Sequence, residues 1–181
     1  MRKHWFPKPY ADAVMRMRVP SGFVLAICFG LLATPTPESI LYGPLLAFPG
    51  LAIRAWAAGH LKKNQDLADG GPYAYTRNPL YLGTLLVALG LAVAASSWTV
   101  FLVTIAVFSL VYLPVIEQEE QHLLKLFDGY QAYAERVPLL WPSLPKTQGH
   151  GEFDIHLYFK NEEWKATAAY MIGMGYLFWK M

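Results

Sequence analysis

Residues 77–120 read RNPLYLGTLLVALGLAVAASSWTVFLVTIAVFSLVYLPVIEQEE. Within this stretch, residues 80–116 carry no charge and are divided near the middle by Ser-Ser-Trp. Each half holds about 17 to 19 residues, or roughly 26–29 Å as a helix, which is close to the thickness of a bilayer core. Because two crossings return the chain to its starting side, the sequence predicts a membrane hairpin. The polar Arg-Asn-Pro segment and the acidic cluster at residues 117–120 should then lie at the same depth.

The composition of the whole chain also indicates a membrane protein. Of its 181 residues, 55% are hydrophobic and only 15% are charged, which is more apolar than is usual for a soluble domain. We expect an all-α fold in a single domain over residues 1–181. The one cysteine, Cys28, excludes an internal disulfide. No cleavable signal pattern is recognisable before the first apolar run.

The remaining apolar runs predict three more spans. Residues 22–34 are apolar but short, and they follow a basic segment, residues 1–20, that we expect to lie on an anionic membrane surface. Residues 39–59 predict a second span, kinked by its prolines. Residues 164–179 predict a fifth span, with a surface-lying helix as the alternative. The expected fold is an integral membrane helical bundle of about five transmembrane helices plus a cytoplasmic amphipathic helix at residues 117–128.

The distribution of lysine and arginine predicts how this bundle is oriented. Residues 1–20 carry five of them, the 60–78 loop three and residues 117–163 four, whereas the turns at 34–38 and 96–98 carry none. Positively charged loops tend to stay on the cytoplasmic side of a membrane. We therefore expect a multi-pass protein whose N-terminus, polar loop and acidic cluster are cytoplasmic.

Two separated blocks carry a family resemblance. Residues 71–83, GPYAYTRNPLYLG, resemble the Arg-His-Pro-x-Tyr-x-Gly segment of the isoprenylcysteine carboxyl methyltransferases, whose architecture the phospholipid N-methyltransferases share. The second block resembles theirs as well, with Glu119-Glu120 followed by apolar and tyrosine positions up to Arg136-Val137-Pro138. The resemblance covers roughly residues 40–142. It implies a membrane enzyme that uses S-adenosylmethionine to methylate a lipidic substrate.

The resemblance also implies a role for particular residues. The cofactor-binding part would comprise about residues 60–83 and 117–142, with Arg77 and Glu120 as catalytic residues and no metal. The residues implied to contact S-adenosylmethionine are Gln65, Asp66, Leu67, Ala68, Tyr73, Asn78, Pro79, Leu80, Tyr81 and Glu119.

This sequence departs from the carboxyl methyltransferase pattern at two places. The histidine of the family motif is Asn78 here, and an amide can form hydrogen bonds but cannot titrate. The arginine that holds the substrate carboxylate, about one turn before the acidic residues, corresponds to Val115 or Ile116. The second departure argues against a prenylcysteine acceptor but leaves the cofactor residues in place.

Each candidate residue also has a structural interpretation. Glu119 and Glu120 could form a solvated helix face, and Asn78-Pro79 is typical of a helix start. Arg77 could be a phosphate-facing anchor or a ligand for a substrate anion. Arg54 could extend its charge to the interface, or it could be a substrate residue that holds a lipid headgroup anion.

Other classes of chemistry have weaker support. His150, Glu152, Asp154 and His156 lie in an unpatterned polar loop, so their resemblance to a metal-binding group is slight. No glycine-rich nucleotide loop follows a strand, which excludes a Rossmann-type methyltransferase. No nucleophile motif for acyl transfer is present.

The sequence therefore leads to one main hypothesis and one alternative. S-Adenosylmethionine would enter from the cytoplasmic side, and a lipidic acceptor would enter from the bilayer, for O- or N-methylation. The alternative is a non-enzymatic membrane protein of the same fold that binds lipid or assists assembly. No nucleic acid partner is expected, and the oligomeric state stays open.

Overall fold

A computed structural model describes residues 5–145, 149 and 151–181. Over these residues the chain is helical without a β-strand, which confirms the predicted all-α class. A single 3-10 turn (Gly71–Ala74) precedes α3, and a π-helical turn (Phe108–Tyr112) joins α4 to α5. The helices are α1 (Lys8–Leu32), α2 (Pro37–Ala58), α3 (Pro79–Ala94), α4 (Trp98–Val107), α5 (Leu113–Leu126), α6 (Tyr130–Arg136), α7 (Ile155–Lys160) and α8 (Trp164–Lys180).

Three helices of the described chain are long and apolar enough to cross a membrane. They are α1, α2 and the continuous helix Trp98–Leu126 that α4, the π turn and α5 form together. Helix α3 is apolar but has only 16 residues, and α8 has 17. The predicted count of five spans depends on these two shorter helices and stays a prediction.

Two predicted helix boundaries were wrong. Residues 8–32 form one helix, so there is no break between a surface segment and a separate span near residue 22. Pro20 lies inside this helix, and one proline removes a single backbone donor, which a long helix tolerates. Likewise the amphipathic segment at residues 117–128 is no separate helix, because it continues the long helix that begins at Trp98.

Helices α2 and α3 pack closely because glycines line their contact. A Cβ atom added at Gly43 would lie 2.6 Å from the carbonyl oxygen of Gly90, and one at Gly50 would lie 2.7 Å from that of Gly83. The two pairs lie two turns apart along each helix. Small residues at such a position let helix backbones approach each other in a membrane. The contact fixes the start of α3 against the end of α2.

The π turn lies within the long helix, next to the site. Pro114 has no backbone N–H, so the carbonyl of Leu110 lacks its usual donor four residues later. The Tyr10 hydroxyl donates a 2.6 Å hydrogen bond to this carbonyl oxygen and links α1 to the turn. Such π turns are frequent at functional sites, and Tyr112 at the end of this one lines the cavity described below.

The two turns that carry no lysine or arginine meet at one end of the bundle. The backbone N–H of Thr34 donates to the carbonyl of Ala95 (2.8 Å), and its hydroxyl donates to that of Ser96 (3.0 Å). At the same end, the Lys180 ammonium donates to the carbonyl of Gly30 (2.8 Å). The polar loop between α2 and α3 therefore lies at the opposite end. Which end faces the cytoplasm stays a prediction.

Candidate active site

A cavity of about 490 Å³ lies at the end of the bundle that holds the polar loop. Its walls come from that loop, from the starts of α3 and α6, and from α1, α2 and α5. Of the residues predicted from the sequence, two do not line it, namely Gln65 and Glu120. Those that do line it are Arg54, Asp66, Leu67, Ala68, Tyr73, Arg77, Asn78, Pro79, Leu80, Tyr81 and Glu119. The structure thus gathers most of the candidates, while the role of each stays a prediction.

Backbone contacts join the two sequence blocks beside this cavity. The N–H of Arg77 donates to the carbonyl of Pro138 (2.9 Å), and the Thr76 hydroxyl donates to that of Leu139 (3.2 Å). The Asn78 amide also donates to the Leu139 carbonyl, at 3.0 Å. Asn78 holds the N-cap position of α3, as a helix start requires, but its side chain makes no capping bond. The side chain instead holds the segment at residues 137–143, here called the strap, against the polar motif that precedes α3.

The three glutamate side chains of the acidic cluster point in different directions, because successive residues of a helix are rotated by about 100°. Glu117 is buried, and its carboxylate accepts the backbone N–H groups of Trp5 (2.6 Å) and Phe6 (3.1 Å). It therefore anchors the segment before α1. Glu119 faces the cavity, where its Oε1 accepts a 2.7 Å hydrogen bond from the Tyr81 hydroxyl.

Glu120 forms a buried ion pair with Arg77. Oε1 of Glu120 lies 3.1 Å from Nε of Arg77, and their side chains are 7% and 5% exposed. The same oxygen accepts the Tyr130 hydroxyl at 3.1 Å. Only the arginine of this pair lines the cavity. The arrangement favours a role for Glu120 in holding Arg77 and Tyr130, rather than direct contact with a ligand.

Arg54 is bound by a residue far away in the sequence. Its Nε and Nη2 atoms donate to the two carboxylate oxygens of Glu163, at 2.5 and 2.9 Å, in a bidentate pair. Its Nη1 donates to the Thr84 hydroxyl and to the carbonyl of Leu80. A guanidinium engaged in this way has few donors left for a substrate anion. The substrate role of Arg54 stays a prediction, and the structure shows it as part of the wall.

Two tyrosines form a buried polar contact at the floor. The Tyr133 hydroxyl donates a 2.8 Å hydrogen bond to the backbone carbonyl of Tyr73. Burial raises the pKa of the Tyr73 hydroxyl above its usual range, and the nearby Glu119 carboxylate raises it further. Burial also raises the pKa of the Tyr133 hydroxyl, and the neighbouring Tyr130 raises it further. Both phenols stay protonated at neutral pH and can serve as hydrogen-bond donors.

The C-terminal segment fixes the predicted 65–68 stretch. The Asn161 amide donates to the carbonyls of Ala58 and Leu61, each at 2.9 Å. Ala58 is the last residue of α2, where helix acceptors lack intrahelical donors, and Leu61 lies in the loop that follows. A turn follows, in which the N–H groups of Gln65 and Asp66 donate to the carbonyl of Lys62. The contact with Asn161 thus determines where this stretch leaves α2.

Sequence reasoning missed several residues of the site. Arg18 on α1 lines the cavity, as do Lys63, Asn64 and His122. His122 follows Glu119 by three residues, and this spacing on a helix face could have identified it. Glu163 carried no such signal, since its partner lies 109 residues earlier in the chain.

The absence of a metal site stays a prediction. Among the described residues, no group of three or more histidine, cysteine, aspartate or glutamate side chains could hold a metal ion. Of the four residues considered from the sequence, His150 lies outside the described residues.

Comparisons with known proteins concern the region of the chain that holds this cavity. Residues 43–129 match the sequence model of the phospholipid methyltransferase family. The cobalt-zinc-cadmium resistance protein CzcN of Cupriavidus metallidurans is 35% identical over 106 residues, which is 58% of this chain and 49% of that protein. The nickel-cobalt-cadmium resistance protein NccN of Alcaligenes xylosoxydans xylosoxydans is 29% identical over 106 residues, or 58% and 50% of the two chains.

A eukaryotic enzyme is similar over a longer stretch. The protein-S-isoprenylcysteine O-methyltransferase of Schizosaccharomyces pombe is 29% identical over 148 residues, which is 76% of this chain and 61% of the enzyme. The matched region thus spans about half the length of the two resistance proteins. No solved structure matches the chain. The region that matches the phospholipid methyltransferase family, residues 43–129, holds both the polar motif and the acidic cluster.

Proposed function

We propose that this protein is an S-adenosylmethionine-dependent methyltransferase that acts on a membrane lipid or a lipidated small acceptor. The observation that carries the proposal is the shared cavity, in which the motif before α3 and the acidic cluster of α5 face each other across the Tyr81–Glu119 hydrogen bond. The match to a methyltransferase family supports the reaction class. The donor, the acceptor and the cytoplasmic position of the site are parts of the proposal.

The cavity suits the proposed cofactor in size and charge. Small-molecule and cofactor sites typically enclose about 300–1,000 Å³, and this cavity encloses about 490 Å³. The carboxylates of Asp66 and Glu119 line it. Carboxylates can bind ammonium groups and accept hydrogen bonds from ribose hydroxyls. The buried Tyr73 phenol adds a neutral donor beside them, whereas the hydroxyl of Tyr133 is already donated to the Tyr73 carbonyl.

Within such a site the protein mainly aligns two reactants. Bound S-adenosylmethionine supplies an electrophilic methyl group on a positively charged sulfur. Alignment of donor and acceptor in one geometry can contribute several kcal/mol to the barrier reduction. The close α2–α3 contact at Gly50 and Gly83, together with the strap on Asn78, provides a rigid frame for the cofactor side.

The two acceptor chemistries make different demands on the protein. A carboxylate acceptor needs a cation that orients it and needs no base. An amine acceptor must lose a proton, so that a basic group has to lie nearby. Glu120, which the sequence suggests as a catalytic residue, is held in its ion pair with Arg77. Of the described lining residues, Asp66, Glu119 and His122 carry basic atoms on the cavity side.

Two measurements test the proposal. Titration calorimetry with S-adenosylmethionine and S-adenosylhomocysteine on detergent-purified protein should show saturable binding at one site. Incubation with methyl-labelled donor and a total lipid extract should then give a labelled lipid, identified by mass. Release of volatile label by mild alkali would assign a carboxyl ester, whereas retention would assign an N-methyl product. A folded preparation without donor binding would overturn the proposal and favour a non-enzymatic lipid-binding or assembly role.

A further inference from the structure

Three arginines line the cavity within the described residues, and Arg18 differs from the other two. Arg54 forms a bidentate pair with Glu163, and Arg77 lies 3.1 Å from Oε1 of Glu120. Arg18 is held more loosely, with its Nη1 atom 3.7 Å from Oε1 of Glu119 and its side chain 46% exposed. Its guanidinium also lies 5.7 Å from the centre of the Tyr81 ring.

The position of Arg18 within α1 makes its charge costly. It lies ten residues after Lys8, or about 15 Å along the axis of a helix that is long and apolar enough to cross a membrane. A charge inside such a segment is unfavourable without an anion or water, and it is a functional candidate for that reason. Its near neighbours Met17 and Val19 are exposed on the surface of the helix.

The same face of α1 continues from this cavity into a second, apolar one. Gly22, Leu25, Ala26 and Phe29 follow Arg18 at helical spacing and line a cavity of about 520 Å³. The facing helix α3 repeats the arrangement. Its Leu80 and Thr84 line the polar cavity, and the apolar one is lined one to two turns further on by Ala88, Leu91 and Ala92.

The polar and the apolar cavity therefore lie one after the other along α1 and α3. The rise from Arg18 to residues 22–29 is about 6–16 Å, which is comparable with the length of a lipid chain. A guanidinium at one end of an apolar cavity is complementary to an amphiphile with an anionic headgroup.

We propose that Arg18 binds the oxyanion of the methyl acceptor, a carboxylate or phosphodiester, while the hydrocarbon chain of the acceptor occupies the apolar cavity between α1, α3, α4 and α8. The inference rests on the proposed function and names the substrate class of the same site. Glu119 then serves the donor side of the cavity, and Arg18 serves the acceptor side. The acceptor would enter between helices from the bilayer.

Direct binding tests the anion contact without relying on catalysis. Fluorescent probes of equal chain length, a fatty acid, a phosphatidylethanolamine and an uncharged fatty alcohol, are titrated into the purified full-length protein in non-ionic detergent. Arg18→Gln should weaken binding of the fatty acid and of the zwitterionic phosphatidylethanolamine, which each carry an oxyanion, about tenfold and leave binding of the alcohol unchanged. Arg18→Lys should recover part of the loss. Arg16→Gln, an exposed arginine on another face of the same helix, is the matched control.

Inorganic phosphate as a competitor separates the two sources of an oxyanion. A lipid site that needs its chain should resist millimolar phosphate, whereas displacement of the probes by phosphate would overturn the lipid assignment. Equal affinity of Arg18→Gln and wild type for the fatty acid and the phosphatidylethanolamine would overturn the anion contact. Binding of S-adenosylmethionine is measured by calorimetry on the same variants. Failure of the methyltransferase proposal would appear as absent donor binding and can therefore be distinguished from failure of the anion contact.

Chain length tests the role of the apolar cavity. Ala26 lines the apolar cavity and is exposed at its side, so Ala26→Phe should narrow the cavity without disturbing the core. In this variant the affinity for long-chain probes should fall severalfold more than the affinity for short-chain probes. Val24→Phe, on an exposed position outside the cavity, should not change the preference. The same chain-length profile for Ala26→Phe and wild type would overturn this half of the proposal.

Discussion

The hydroxyl of Tyr81 donates a 2.7 Å hydrogen bond to Oε1 of Glu119, although the two residues are 38 positions apart. Tyr81 belongs to the first turn of α3, and Glu119 belongs to α5 beyond the π turn. The contact therefore joins the two sequence blocks at the cavity wall. It also orients a carboxylate whose other neighbour, the Arg18 guanidinium, lies 3.7 Å away.

Removal of the Glu119 charge should weaken donor binding most strongly. We expect Glu119→Gln to raise the dissociation constant of S-adenosylmethionine at least tenfold, or about 1.4 kcal/mol, because the positive groups of the ligand lose their carboxylate. Tyr81→Phe should have a smaller, severalfold effect, since it removes one orienting hydrogen bond worth about 0.5–1.5 kcal/mol. Titration calorimetry measures both.

Glu135→Gln is the control for this experiment, because Glu135 is an exposed carboxylate on α6 outside the cavity. The affinity of the Glu135→Gln variant for S-adenosylmethionine should equal that of the wild-type protein. Wild-type affinity in Glu119→Gln would show that this carboxylate does not bind the donor.

The Arg77–Glu120 pair should contribute to stability through burial. Removing one partner of a buried ion pair typically costs about 3–5 kcal/mol, whereas replacing both with apolar residues is often neutral. Glu120→Ala should therefore lower the melting temperature markedly, and the Arg77→Met/Glu120→Leu double variant should recover much of the loss. Thermal unfolding in detergent measures these changes.

An exposed ion pair provides the control for this experiment, and a measurement of methyl transfer shows whether Glu120 has a catalytic role instead. Lys165→Ala removes a surface pair with Glu162 and should change stability little. If Glu120 instead acts as the proton acceptor, Glu120→Ala would keep the wild-type melting temperature and lose methyl transfer.

The sequence predicted those parts of the fold that depend on local pattern. The charge-free run at residues 80–116 could be recognised because hydropathy is a property of neighbouring residues. The gathering of Asn78 and Tyr81 with Glu119 followed from counting two crossings. The helix boundaries near residue 22 and residue 117 were wrong, because a change in polarity alone does not end a helix without a cap or turn.

The parts of the site that depend on distant contacts could not be predicted. Glu163 faces Arg54 across 109 positions, and Arg18 reaches Glu119 from a helix that was expected to lie on the membrane surface. Neither contact has a spacing that a sequence pattern reveals. The motif likewise did not show that Glu117 and Glu120 do not line the cavity, since this depends on the rotation of α5.

Asn161 should control the order of the loop that follows α2. Asn161→Ala leaves the carbonyls of Ala58 and Leu61 without their side-chain donor, which costs about 1–3 kcal/mol when such groups are buried. We expect faster amide hydrogen exchange over residues 61–68 and a severalfold weaker affinity for S-adenosylmethionine. Lys160→Ala, an exposed neighbour, should change neither. Unchanged exchange in Asn161→Ala would rule out this control of the loop.

Gly83 tests whether the close α2–α3 contact supports the site. A Cβ atom there would lie 2.5 Å from Cγ of Arg54 and 2.6 Å from the carbonyl oxygen of Gly50, so α2 and α3 must move apart or Arg54 must shift. Overpacking of this kind typically costs about 1–3 kcal/mol, and we expect Gly83→Ala to lower both the melting temperature and the donor affinity. Gly175→Ala, in a helix position with no atom within 4 Å, should be neutral or slightly stabilising. Equal melting temperatures for the two variants would show that the helices can separate without cost, and that the frame of the cavity does not depend on this glycine.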